Sequence, residues 1–472
     1  MGTPSQTPLT YEIEDKLLED RLDPEYYRPD YIKTAKILSE LPFDVKTLRE
    51  VSDSIQNFGA YALYNKIVYL ESGVPFLREG NIKQDEIDLS DVKYISPEHH
   101  KLLQKSQAKP GTVLITMTGN PGISAIVPEN FGESNSNQHI AKVVLKKGIN
   151  PRYVTAFLDS TYGMSQIERM TTGTTHRHIF LYSVSSIRIP VPPREIQDIV
   201  AQTSQRAQEQ VRQNLCRSIE LFESIEQDIL AELGIDRPKT EPEDFMSVRD
   251  EDIDDRLDTE YYKYEYLSNM EALRKSKFEI KTLGQISVDI NRGVEPGSRA
   301  YREDGVPFLR IQNILPFNID FKETMFVDKE LYSQLRDKHQ IHSGEVLFSK
   351  DATIGIPLVV PDNIGECLIS SGIARIKLKD DIDPLFVCSF LYTTCARLQA
   401  IRRSYGSIIR HLSIDELSEI KIPIPPKGFQ NKLAAEVRSK IAEADKLKKD
   451  IVKIKEDARL RICRIIEGKA GM

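Results

Sequence analysis

The chain has 472 residues, enough for about three domain-sized pieces, and its 40% hydrophobic and 29% charged content describes a polypeptide able to bury cores. Collagen-like, mucin-like and small disulfide-stapled classes are excluded. With 64 basic and 71 acidic side chains the formal net charge is −7, so any surface for a polyanion has to be local.

In chain order, the N-terminal segment 1–19 shows no basic stretch followed by an apolar run. No window anywhere approaches the roughly 18 apolar residues of a membrane span. Five scattered cysteines (Cys216, Cys367, Cys388, Cys395, Cys463) lack a C-x-x-C pair or zinc-ligand spacing. A reduced, soluble, cytoplasmic protein without membrane contact is the expectation.

The segment 20–193 is the first of two copies. Asp20-Arg21-Leu22-Asp23-Pro24-Glu25-Tyr26-Tyr27 returns as Asp255-Arg256-Leu257-Asp258-Thr259-Glu260-Tyr261-Tyr262, and Lys46-Thr47-Leu48 as Lys281-Thr282-Leu283, each 235 positions later. Gly73-Val74-Pro75-Phe76-Leu77-Arg78 with Asn81-Ile82 returns as Gly305-Val306-Pro307-Phe308-Leu309-Arg310 with Asn313-Ile314, at an offset of 232. Gly173, Arg177 and His178 fall on Gly406, Arg410 and His411. Ile187-Arg188-Ile189-Pro190-Val191-Pro192-Pro193 falls on Ile420-Lys421-Ile422-Pro423-Ile424-Pro425-Pro426, and Gln197 on Gln430. Within each copy, β-rich runs at 111–116, 140–145, 345–348 and 374–378 alternate with helical pieces at 151–170 and 384–403.

After the prolines, 194–235 reads as a long helix with Val211, Leu215, Ile219, Phe222, Ile225, Ile229 and Leu233 in steps of three and four, and with Gly234 as a C-cap candidate. The polar, proline-containing stretch 236–254 reads as a linker. The second copy spans 255–426, and a second helix, 427–469, carries Leu433, Val437, Ile441, Ala444, Leu447, Ile451, Ile454, Ala458, Ile462 and Ile465. A stripe that runs about 60 Å needs a partner, and the other copy supplies one. The expected fold is α+β: two tandem-repeat globules, each followed by a long helix, the two helices pairing as an antiparallel coiled coil. Such a pair has approximate two-fold symmetry, as duplex DNA has locally, and its helices would separate two modules by at most roughly 18 base pairs. A scaffold that binds proteins through duplicated domains and a coiled coil fits the same geometry.

The motif order, the duplication and the domain sizes together resemble the DNA-specificity subunit of a Type I restriction-modification enzyme, over nearly the whole chain. That resemblance implies two target-recognition domains, each reading one half of a bipartite site in double-stranded DNA. It implies partners as well: two DNA adenine methyltransferase (modification) subunits using S-adenosylmethionine, and restriction/translocase subunits using ATP. The chain itself would then be non-catalytic and hold no cofactor or metal.

Gly173, Thr174, Thr175 and Arg177, with Gly406, Ser407 and Arg410 in the second copy, are the first candidates for DNA contact: glycine lets the backbone approach, and hydroxyl and guanidinium groups donate to phosphate or guanine. Arg169 and Arg402 flank them. His178 and His411, each followed by an apolar residue, read as structural histidines at a strand or helix start. Thr118 and Asn120, matched by the loop holding Lys350, are polar positions that differ between copies. Arg78 and Asn81, with Arg310, Gln312 and Asn313, suit guanine or adenine edges, although an arginine there could also be a clamp or an ion-pair partner. Arg292 and Arg299 lie in a basic loop of the second copy suited to phosphate. The acidic helix residues Glu220, Glu223, Glu226 and Asp228 are candidates for docking the modification subunits.

Enzyme classes fare poorly. Asp23 with Asp44 and Lys46, and Asp258 with Glu279 and Lys281, only loosely imitate a metal-dependent nuclease set. Neither an Asn/Asp-Pro-Pro-aromatic tetrad nor a phosphate-binding Gly-x-x-x-x-Gly-Lys-Ser/Thr loop is present in the sequence.

Overall fold

Val113-Leu114-Ile115-Thr116 is apolar at nearly every position, and it forms a strand buried on both faces, as such runs do. A computed structural model of the chain describes residues 23–58, 67–173, 176–239, 248, 253, 258–406 and 410–469. They divide into two units: residues 1–213 with 450–472, and residues 214–449. Each long helix therefore contributes one part to each unit.

In the first unit an antiparallel four-stranded sheet has the order Ser52–Gln56, Ile140–Leu145, Val113–Thr116, Ser124–Ile126. A second sheet places Val74–Leu77 between Lys93–Ile95, antiparallel, and Asn135–Ser136, parallel. Val45–Thr47 pairs with Arg188–Pro190, which ties the start of the globule to the proline-rich stretch at its end. The second unit repeats the plan: Ser287–Arg292, Ile373–Leu378, Val346–Ser349 and Pro357–Val359 form its four-stranded sheet, and Ile280–Thr282 pairs with Lys421–Pro423. Its other sheet gains a strand, Tyr301–Arg302, which gives the order Tyr301–Arg302, Met325–Val327, Val306–Leu309, Leu368–Ile369.

The helical stretches after the sheets are each broken in two. Pro151–Asp159 stops at Ser160 and Thr161–Met170 follows; Pro384–Tyr392 stops at Thr393 and Thr394–Arg403 follows. Ser160 and Thr393 are extended and cap the second helix of each pair through their hydroxyls, which accept from the Gly163 and Ala396 N–H groups. The continuous helices expected at 151–170 and 384–403 are corrected by this cap chemistry.

The long helices run Arg194–Leu233 and Lys427–Ile466. The matched glutamines explain how each starts. Gln197, 3% exposed, accepts from the Asn150 N–H and donates to the Pro192 carbonyl; Gln430, 1% exposed, accepts from the Asp383 N–H and donates to the Pro425 carbonyl. Each lashes its globule to the proline stop and the first helical turn. At the other end of the first helix Gly234 takes φ +72° and the Ile235 N–H returns to the Leu230 carbonyl, closing the Schellman turn that a non-glycine residue would strain.

In the second unit the core draws Ile225, Ile229 and Leu233 from the first helix together with Leu433 and Val437 from the second. In the first unit Val200 shares a core with Ile462, Cys463 and Ile466. Glu226 accepts from the Thr394 N–H at 2.8 Å, Asp228 pairs with Lys440, and Glu220 stands 3.7 Å from Arg217. Glu226 is thus held within the second unit, whereas Asp228 stays about half exposed beside Lys440. Among the described residues no helix is long and apolar enough to cross a membrane.

Candidate nucleic-acid interface

The duplicated Asp-x-Glu-Tyr-Tyr motif folds as a short 3-10 turn in each unit, Pro24–Tyr27 and Thr259–Tyr262. Asp23 and Asp258 cap these turns through their carboxylates, which accept from the Tyr26 and Tyr261 N–H groups at 3.1 Å. Arg169 locks the first turn: its Nε donates to the Tyr26 carbonyl at 3.0 Å and its guanidinium lies 3.9 Å from the Tyr26 ring centroid. Arg402 repeats both contacts on Tyr261, at 2.9 Å and 3.9 Å. These two arginines, expected on DNA, are corrected to fasteners of the turn. The loose nuclease set dissolves in the same way, because Asp23 and Asp258 are turn caps and Glu279 pairs with Lys281 at 3.4 Å. Among the described residues no group of three His, Cys, Asp or Glu side chains is placed to hold a metal ion.

Three polar loops converge in the first unit. The Gly119 N–H donates to the Arg177 carbonyl at 2.9 Å, and Thr118 and Thr172 both bridge His178, which joins the loop after Val113–Thr116 to the Gly-x-x-x-Arg-His loop. Thr118 Oγ1 sits 2.9 Å from His139 Nδ1, and Asn137 donates to Glu79 at 2.7 Å, bringing in the loop that holds Arg78. Gly173 has φ +84°, and a Cβ there would stand 2.4 Å from the His176 carbonyl oxygen, so the loop requires glycine. Arg177 is partly exposed and pairs with Glu168, which holds its guanidinium pKa above the usual value. Asn120 is exposed at the tip. Thr174, Thr175 and Ser407 lie outside the described residues.

The second unit makes the corresponding junction. The Ala352 N–H donates to the Arg410 carbonyl at 2.9 Å, Asp351 and Tyr405 bridge His411, and His411 Nδ1 lies 3.1 Å from Asp351. Gly406 has φ +101° and Arg410 is exposed. Gly372 packs on Ile311, which carries the Arg310 and Gln312 loop to the same place. Gln312 is exposed and Arg310 half-buried; Arg310 and Arg78 alike have no partner on a buried Nε, while Arg78 Nη2 donates to the Asp91 carbonyl at 2.8 Å and pairs with the Asp91 carboxylate. Arg292 is exposed at the end of Ser287–Arg292, opposite Ala374, and the following Gly293 N–H donates to the Ile373 carbonyl. Arg299 is exposed on the 3-10 turn Ser298–Ala300.

Two further expectations are corrected. Asn81 (4% exposed) and Asn313 (1%) each accept from the backbone N–H of the preceding arginine, Arg78 or Arg310, and donate to the Asp88 or Asp320 carbonyl; they shape the loop and leave no edge for a base. Lys350, 8% exposed, is paired to Asp351 at 2.9 Å and is not available to a phosphate.

Sequence reasoning missed the segment 137–139 and its counterpart 370–372, because their proximity to the loops arises from strand pairing across the unit. The Asn-Gln-His composition of 137–139, polar and abutting an apolar strand, was the available signal. Behind it, Lys142 donates to the Asn57 carbonyl at 2.8 Å, and burial pulls its ammonium pKa down to about 8. The assembled loops offer hydrogen-bond donors, acceptors and guanidinium groups that differ between the units. This is the equipment for reading polar edges.

The sequence profile described as the type I restriction modification DNA specificity domain matches the chain twice, over residues 41–212 and 275–455. A chain of Methanocaldococcus jannaschii assigned as the type I restriction enzyme MjaX specificity subunit is 23% identical over 482 positions, covering 93% of this chain and 98% of that one. The type I restriction enzyme EcoKI specificity subunit of Escherichia coli K12 is 22% identical, with 83% and 80% covered. Among solved structures, a chain from work on complex assembly and conformational transition of the type I R-M system matches with a TM-score of 0.50 at 17% identity, covering 91% of this chain and 100% of that one, a likeness of fold.

Proposed function

Because this chain belongs to the type I restriction modification DNA specificity family and carries its domain twice, we propose that the two units read the two halves of one bipartite duplex target through their converged loops. The observation that carries this reading is the repeated junction of three loops, built on the same backbone bonds in both units but with different residues at its tips: Thr118 and His139 in one, Asp351 and the side-chain-free Gly372 in the other. Shared framework with divergent tips is what two different half-sites ask of one fold. Arg177, Arg410, Arg310 and Gln312 are the side chains assigned to DNA, with Asn120, Arg292 and Arg299 at its edges.

The long helices act as an antiparallel coiled-coil ruler. In support, Arg217–Glu443, Asp228–Lys440 and Glu232–Lys432 pair in the second unit so that numbers rise along one helix as they fall along the other. Exposed Leu215 and Ile219 on the first helix fit a face on which two adenine methyltransferase subunits dock. Those subunits bring S-adenosylmethionine, restriction/translocase subunits bring ATP, and the complex works in the cytoplasm. The test is methylome sequencing of cells expressing the chain with its modification subunit. A bipartite adenine-methylated motif that fades in the Arg177→Ala/Arg410→Ala double variant is the expected result; an intact complex that methylates no motif overturns the reading.

A further inference from the structure

The short helix after the Gly-x-x-x-Arg-His loop, Leu181–Ser186 in the first unit and Ile414–Ser418 in the second, starts differently in the two copies. In the second unit Ser413 precedes the helix and its hydroxyl accepts from the Glu416 N–H at 3.1 Å, while Asp415 adds a carboxylate to the first turn. Both are favourable at a helix start. In the first unit the matched residues are Phe180 and Tyr182. Phe180 has nearly the same extended backbone, φ −82° and ψ 155° against −70° and 162°, yet gives no side-chain cap, and the first turn carries no acid. The first unit therefore forgoes helix-start contacts that the same fold makes in the other copy.

What stands there instead is an exposed aromatic pair. Phe180 is 43% exposed and Tyr182 73%. Their rings stack with centroids 5.4 Å apart and planes 15° from parallel, and Phe180 meets the His178 ring in a T-shaped contact at 3.9 Å. The row His178, Phe180, Tyr182 is thus a shelf of ring carbon that continues from the histidine bridged by Thr118 and Thr172. The core of the unit takes Ile179 and Val184 from this segment, at 1% and 0% exposure, and leaves the two rings in water.

We propose that this shelf is a specificity surface for the first half-site, its rings taking the 5-methyl group of a thymine in the major groove. The inference rests on the reading of the converged loops as a DNA interface, and its continuity with those loops selects duplex DNA as the occupant. Of the features a base pair presents in that groove, the thymine methyl is the apolar one, and phenyl side chains contact it. The donor and acceptor edges and the phosphates suit Arg177 and Asn120 next to it. A half-site that is methylated on adenine contains an A·T pair, and so carries such a methyl.

The test is binding by the complex of this chain with its modification subunits to duplexes of its methylated motif. Each thymine of the half-site that Arg177→Ala assigns to the first unit is replaced in turn by deoxyuridine, which removes the methyl and keeps the pairing. At one position the parent should bind about fourfold more weakly, the value of one buried methyl group. The Phe180→Ser/Tyr182→Ala double variant should bind the thymine duplex at least fourfold more weakly and show no further loss with deoxyuridine. Neither substitution alters charge, so the slope of log affinity against log salt should stay unchanged. Serine restores a cap, so the melting midpoint should not fall. Tyr182→Phe should keep the response to deoxyuridine. A parent indifferent to every deoxyuridine, or a double variant with the parent's fourfold response, overturns the proposal. So does a double variant that no longer assembles with the modification subunits, because the shelf is then a protein contact. A parent with no bipartite motif fails earlier, at the half-site reading itself, and the proposal falls with it.

Discussion

Replacing Arg169 by methionine separates a fastener from a DNA contact. Among its contacts, the side chain donates a charge-assisted bond to the Tyr26 carbonyl at 3.0 Å and stands 3.9 Å from that ring. Such a bond contributes about 1.5–3 kcal/mol and the cation–π contact about 0.5–2 kcal/mol. Arg169 is half-buried, so the lower ends of these ranges apply, and a combined loss of about 2 kcal/mol follows. Methionine keeps the stem's packing and removes only the guanidinium. Hydrogen exchange read on the peptide covering 23–31 should therefore speed up about 30-fold, because local opening costs that much less. For the complex with its modification subunits, the slope of log affinity against log salt on a target duplex should stay unchanged. Arg177→Gln should do the reverse, leaving exchange at 23–31 unaltered and reducing the slope by about 0.9, the value of one phosphate contact. A reduced salt slope in Arg169→Met without faster exchange would refute the assignment.

Other consequences can be measured alongside. Lys142 is held near pKa 8 by burial, below its ordinary 10.5, so between those values the folded chain has lost a proton that the unfolded chain keeps; stability of the first unit should rise with pH across that window by about 3 kcal/mol, and urea titrations of Lys142→Met should be flat there. Lys350→Met leaves Asp351, 18% exposed, with His411 as its remaining neighbour and should cost the second unit about 1–3 kcal/mol in urea while leaving the salt slope of DNA binding unchanged. Gly173→Ala forces a Cβ to 2.4 Å from the His176 carbonyl oxygen at an αL-like φ; a cost of about 1–2 kcal/mol, with methylation lost at targets while the chain stays folded, is expected from melting curves and methylome reads.

The duplication, the two long helices and the Gly-x-x-x-Arg-His loops were legible because they are carried by repeated residues and by helical periodicity. The helix break at Ser160 and Thr393 is easily passed over, although Ser160-Thr161 and Thr393-Thr394 are capping residues that favour a stop; the apolar periodicity on either side reads through them, and the extended backbone at the capping hydroxyl shows the break. Arg169, Arg402, Asn81 and Asn313 show a second limit. Guanidinium and amide groups suit base edges and backbone carbonyls alike, and a sequence gives the donor without its acceptor. The segment 137–139 shows a third, since its neighbours are set by pairing of Phe76 with Asn135 across 59 positions.

The central claim is that each unit reads its own half-site. The most direct measurement is methylome sequencing of the single variants Arg177→Ala and Arg410→Ala, each expressed with the modification subunit. The account predicts that each variant relaxes sequence preference in one half of the bipartite motif, a different half for each, with the spacing unchanged. Relaxation of both halves by either variant, or a single continuous motif in the parent, would contradict it.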